Sequence, residues 1–348
     1  MTTAARLSYA VLVLTIALAG VLHLGAPLLV VFFSYFALRQ LYYATRRKWL
    51  ALALFVVLVL GICAAAVYFT RAAILALPDV ADTSIPSATA WAQKRQIELP
   101  FTDFESLRAV VIDTLRQEAQ YLRSVAHFAR STVTTLVFSI IALVAATSLF
   151  LKGGFDSRAP AGTNNLYSVC TAEVAKRFRD FYRSFATVMG AQLTISLINT
   201  VLTGIFLIAV RLPQAPLLIA VTLLCGLVPI VGNLVSNTII VFVALTVSLK
   251  LAIAALLFLI VIHKLEYILN SKIIGERIRN PVWLTLIALI IGERLMGIPG
   301  LILAPVALNY IRLEMLEVPA SLSSVEKRST TAPTGSALSS ATPRATSS

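Results

Sequence analysis

Four polar residues in one apolar stretch, Gln192, Ser196, Asn199 and Thr203, stand at i, i+4, i+7 and i+11. At 3.6 residues per turn this spacing predicts a single polar stripe on one face of a helix. Such groups lose their partners against lipid, so the stripe must meet another helix or a wet cavity. It serves either to hydrogen-bond a neighbouring helix or to line a solute route.

Helix breakers supply the second set of candidates. Pro229 and Gly232, within VPIVGN, interrupt the apolar run 216–249, which is too long for a single crossing of about 20 residues. Gly292, Gly297, Pro299, Gly300 and Pro305 interrupt the run 282–311. Both runs are predicted to be hairpins of short or re-entrant helices. Irregular backbone at membrane depth survives where protein buries it or water lines it, and secondary transporters bind solutes at such breaks. The bland alternative is a pair of tight turns at the membrane face.

Three ionisable or amide groups join this list. Glu293 sits beside Arg294 at the second break, and an acid in a span is a functional suspect unless the break lies at the interface. Glu266 and Asn270 share a helical face just after the apolar run 251–263, with His263 nearby, and could relay a proton or cation or simply start an interfacial helix. His23 and His127 have no visible partner in sequence.

The elements that must position these residues are apolar helices. The 348 residues are 58% hydrophobic and 13% charged, far from the balance of a soluble domain. The apolar runs are 8–22, 26–38, 49–69, 131–151, 186–210, 216–249, 251–263 and 282–311, so the fold class is an all-α, polytopic transmembrane bundle with short or broken hairpins. The first run reads as a retained span, since no clear cleavage site closes it. The net charge of +13 gathers beside spans: Arg39, Arg46, Arg47 and Lys48; then segment 152–185; then segment 264–280. By the positive-inside rule all three face the cytoplasm, as do both termini. Segment 70–130 balances seven basic against seven acidic residues and is placed outside.

Within that outer segment, 78–100 reads as irregular. Over 101–130, Phe104, Leu107, Val111, Leu115, Leu122 and Val125 form an amphipathic stripe, for packing on the bundle or for a subunit contact. The organisation is therefore 1–69, N-terminal spans; 70–130, an extracytoplasmic amphipathic segment; 131–315, a transport core with broken hairpins; and 316–348, a Ser/Thr/Pro/Ala-rich tail predicted to be disordered.

The sequence contains no H-E-x-x-H, G-x-S-x-G or GxxxxGK[ST] motif. No catalytic residue, metal ligand or cofactor is expected, and the missing ATP loop argues against a self-contained pump. Cys63, Cys170 and Cys225 match no metal spacing and read as small apolar residues. The basic patches are orientation signals, so no nucleic-acid partner is expected.

The stretch KLEYILNSKIIGERIRNPVWLTLIALIIGERLMGIPGLILAPVALNYIR, residues 264–312, resembles the closing region of the autoinducer-2 exporter-like family of bacterial permeases. The matching positions are Glu266, Asn270, Lys272, Gly275, Pro281, Gly292, Gly297, Gly300, Ala304 and Pro305. LCGLVPIVGNLVSN resembles that family's Ile-Pro-x-x-Gly-Pro turn, with Asn233 where the family often has proline. The resemblance covers about residues 8–315. It implies a homo-oligomer of the inner membrane that exports or exchanges small solutes, members having been linked to a signalling furanone and to sodium–proton exchange. The partners expected are thus the lipid bilayer and a small molecule or ion. The rival readings are a passive channel formed by the oligomer and a non-transporting membrane scaffold.

Overall fold

A computed structural model describes residues 3–93, 119–153, 166–229, 231–273 and 281–317. The described residues form helices α1 (Thr3–Val21), α2 (Gly25–Thr45), α3 (Lys48–Gln93), α4 (Ala119–Leu151), α5 (Leu166–Ala209), α6 (Ala215–Cys225), α7 (Val231–Val247), α8 (Leu249–Ile273), α9 (Val282–Met296) and α10 (Ile298–Glu317), with no strand among them. Five stretches are long and apolar enough to cross a membrane: Gly25–Thr45, Lys48–Leu75, Thr132–Leu151, Tyr167–Ala209 and Ile298–Leu316.

Three expectations change. The stretch 78–93 is not irregular: α3 runs unbroken through Pro78 and Pro86 to Gln93. Each proline removes one i→i−4 bond, and the helical residues on both sides carry α3 past it. Segment 166–185 is not a loop before a span but the first half of the 44-residue α5. Its Phe181, Tyr182 and Phe185 are core residues, and Arg177 nearby is buried too, beside Glu173 and the Tyr9 ring, while Arg183 stays exposed. Glu266 and Asn270 do not follow a separate span: both belong to the continuous α8. Of the amphipathic stripe, 94–118 lies outside the described residues, as do the side chains of 119–131 and the tail from 318.

Turns between helices use left-handed caps on basic residues. His23 adopts φ 55° and Leu24 N–H donates to Ala19 O at 2.7 Å, closing α1. Arg211 repeats the pattern at the end of α5, with Leu212 N–H donating to Leu207 O at 3.0 Å. Arg46 closes α2 through its N–H to Tyr42 O. A cation at a helix C-terminus also meets the negative end of the dipole. His23 is thus a cap residue.

Two apolar clusters divide the packing. The first joins α1–α5 and α10 and is rich in rings: Phe32, Phe181 and Phe185 lie with centroids 5.1–5.6 Å apart, and Tyr310 meets Phe181 at 5.6 Å. The second joins α5–α8 and relies on small residues, Ala215, Ala244, Ala252 and Ala255, with the Phe206 and Phe258 rings stacked at 4.1 Å. In lipid, helices gain little from hiding carbon from water, so ring stacking and close approach carry the association.

Candidate functional site

Helix α6 has 11 residues, about 16 Å of rise against a hydrocarbon core of about 30 Å. It cannot cross, and its C-terminal carbonyls end inside the bundle. The turn that follows is held by Val228 N–H to Cys225 O at 2.9 Å and Gly232 N–H to Val228 O at 3.1 Å. Any Cβ on Gly232 would collide with the Cys225 carbonyl, so the two halves of this hairpin touch backbone to backbone. Pro229 lies in the turn itself.

The polar stripe of α5 meets this tip. Gln192 Nε2 donates to Gly226 O at 2.7 Å, and Ser196 Oγ donates to Leu223 O at 3.1 Å. Two carbonyls that a broken helix leaves without partners are thereby satisfied by the neighbouring helix. Gly226 leaves room for the contact, since a Cβ there would meet Ser196 Oγ. Further along, Asn199 is 4% exposed, and Thr203 is buried with it. Asn199 Oδ1 and the Thr200 hydroxyl are buried without a hydrogen-bond partner.

From the other side, the Asn233 side chain lies near the Glu266 carboxylate on α8, while His263 Nδ1 lies 3.7 Å from Glu266 Oε2. Sequence reasoning noted Asn233 only as a departure from a proline position. Its signal was an amide directly after the turn glycine. The Asn270 side chain lies outside the described residues. The structure thus gathers Gln192, Ser196, Pro229, Gly232 and Glu266 around one hairpin tip, with Asn199 and Thr203 continuing along α5.

The remaining candidates form a second tip. Gly297 takes φ 64° and ψ −139°, with its N–H to Glu293 O at 2.7 Å. Gly292 and Gly300 face each other so closely that a Cβ on either would strike the other's carbonyl. This tip packs on the α1–α2 turn, where a Cβ on Gly25 would lie 3.0 Å from Pro299 Cβ. Glu293 is half exposed and only loosely paired with Arg294, at 4.0 Å.

The two hairpins enter from opposite ends. The α6–α7 hairpin leaves the C-terminal end of α5 and turns back to Gln192 and Ser196. In the other, Tyr310 of α10 sits on Phe181 in the N-terminal half of α5, while the tip reaches away to the α1–α2 turn. Two opposed, interrupted hairpins in an apolar helical bundle define a polytopic membrane protein with the backbone irregularity of a permease.

Comparison with known proteins agrees. The sequence profile described as "AI-2E family transporter" matches residues 1–315, and the chain belongs to that family. It is also similar to "Putative transport protein YdbI" of Bacillus subtilis (strain 168), 28% identical over 200 residues. That match spans 57% of this chain and 55% of the relative, so the chain covers about half of that protein's length.

Proposed function

We propose that the protein is a secondary permease of the cytoplasmic membrane that exports or exchanges a small solute, an autoinducer-2-like signal or a cation against protons. The observation that carries this reading is the α6 tip held by side chains, Gln192 on the Gly226 carbonyl and Ser196 on the Leu223 carbonyl. These are polar contacts that a moving hairpin breaks and a polar solute replaces. The orphaned Asn199 Oδ1 and Thr200 hydroxyl offer that solute its next partners along α5.

Sidedness follows from charge. Lys48 Nζ reaches Leu151 O at 3.4 Å, so the basic α2–α3 turn and the C-terminus of α4 share one end. The positive-inside rule assigns that end to the cytoplasm. The α6–α7 hairpin then enters from outside and the α9–α10 hairpin from the cytoplasm, with both chain termini cytoplasmic. The functional unit is a homo-oligomer.

The test is flux of purified protein in sealed vesicles. A furanone signal and sodium are each offered under imposed proton gradients. Gradient-dependent movement of either supports the reading. Flux that persists unchanged without a gradient and fails to saturate replaces it with a passive channel.

A further inference from the structure

Arg39 lies within the α2 span, 7 residues before the Arg46–Arg47–Lys48 turn, or about 10 Å along the helix axis. Its Nε donates to the Tyr43 hydroxyl at 2.9 Å. The guanidinium carbon sits 5.6 Å from the Tyr43 ring centroid and 6.0 Å from that of Tyr182 on α5. Among the described residues no carboxylate comes within ion-pairing distance of it.

Other cations at this end differ. Arg177, only 6% exposed, has Glu173 at 3.6 Å as well as the Tyr9 ring at 4.1 Å. Arg183 has Asp180 at 3.3 Å. Arg39 is therefore a cation oriented by tyrosines whose charge no described side chain answers. With Nε engaged, the paired N–H groups of its fork remain for a planar or tetrahedral oxyanion.

Its surroundings choose the anion. Tyr43 follows at i+4 on the same face of α2, and Arg46, exposed, is the left-handed cap that closes the helix one turn further on. Exposed Tyr43 (49%) and Trp49 (80%) mark the depth of an interfacial aromatic belt. Leu50 and Leu54 on the adjoining α3 are exposed at the same end and offer a bed for acyl chains. We infer that Arg39, Tyr43 and Arg46 form a binding site for the phosphate of an anionic phospholipid, seated where α2 meets α3. The site does not depend on which solute the protein carries.

Native mass spectrometry of the full chain released from mixed vesicles of phosphatidylglycerol and phosphatidylcholine tests it. Wild type should retain the anionic lipid selectively. Arg39→Gln should weaken retention about fivefold, the worth of one basic residue near a charged surface. Lys250→Gln, an exposed cation at the far end of α8, should leave retention unchanged. Equal retention by wild type and Arg39→Gln overturns the proposal. Displacement of the lipid by millimolar inorganic phosphate also overturns it, since the site would then serve a soluble anion. Should Arg39→Gln fail to fold, Tyr43→Phe takes its place: it keeps the charge but frees the fork, and a smaller loss in the same direction is expected. No loss overturns the proposal.

Discussion

The two hairpins are punctuated alike and held differently. At the first tip, side chains from α5 grip the backbone of the turn, through Gln192 and Ser196, and Glu266 of α8 lies near Asn233. At the second, glycine lies on glycine and apolar atoms of Met296 and Pro299 crowd Gly25. Under the proposed function, the first contact is the one that a solute would replace or a proton would alter. The second is steric and changes only by moving backbone. The same Gly/Pro signature can thus build a polar clasp or a steric hinge, and the neighbouring helices decide which.

The largest expected effects test the shared feature, close backbone approach. Gly300→Ala and Gly232→Ala each place a methyl against a carbonyl that has no rotamer to yield, at a cost of about 3 kcal/mol or more. Thermal unfolding in detergent, followed by size exclusion, should show loss of folded protein for both. If Gly232→Ala melts like wild type, the first tip is looser than its contacts imply and the two hairpins are less alike than drawn. Gly297→Leu meets open space, so it suffers backbone strain alone, about 1–3 kcal/mol, and should fall between the alanine variants and wild type.

The next effects separate clasp from hinge. Gln192→Leu leaves the Gly226 carbonyl without its donor, which should cost about 1–2 kcal/mol in unfolding and lower flux. Asn233→Pro supplies the proline that the resemblance to an Ile-Pro-x-x-Gly-Pro turn implies at this position. It falls in the first turn of α7, where proline is tolerated, so the protein should fold with a loss of about 0.6 kcal/mol. Its altered flux should match that of Glu266→Gln if the Asn233–Glu266 contact is what matters. A pH dependence of transport that survives in Glu266→Gln would remove this carboxylate from any coupling role.

The smallest effect is expected at the second tip's ion pair. Glu293→Gln changes an exposed group, so stability should stay within about 0.5 kcal/mol and flux should follow the wild-type pH profile. A shifted profile would give the steric hinge a titrating function and erase the contrast between the hairpins.

Much of the fold was legible because lipid imposes a strict rule on sequence. Apolar runs of sufficient length mark helices, and breaks at VPIVGN and Gly297 mark turns, since proline and glycine act locally whatever lies around them. The stripe Gln192–Ser196–Asn199–Thr203 was legible for the same reason, being fixed by helix period. Less legible were 166–185 and 78–93, where charges and prolines resemble loop sequence. There, the helical residues on both sides and aromatic packing override composition. Asn233 as the neighbour of Glu266, and the tyrosine faces around Arg39, join residues far apart in the chain, and no local pattern announces them.

Sequence alone determined that this chain is a helical membrane protein, where its helices break, and which α5 residues share a face. Each of these follows from transfer to lipid or from backbone geometry, properties of a residue and its near neighbours. Only the tertiary structure decided that the α5 stripe grips one hairpin tip and not the other, that the hairpins enter from opposite ends, and that Arg39 is oriented by rings without a described acid. Those outcomes depend on which helices lie side by side, and that is set by the packing of rings and small residues over the whole bundle.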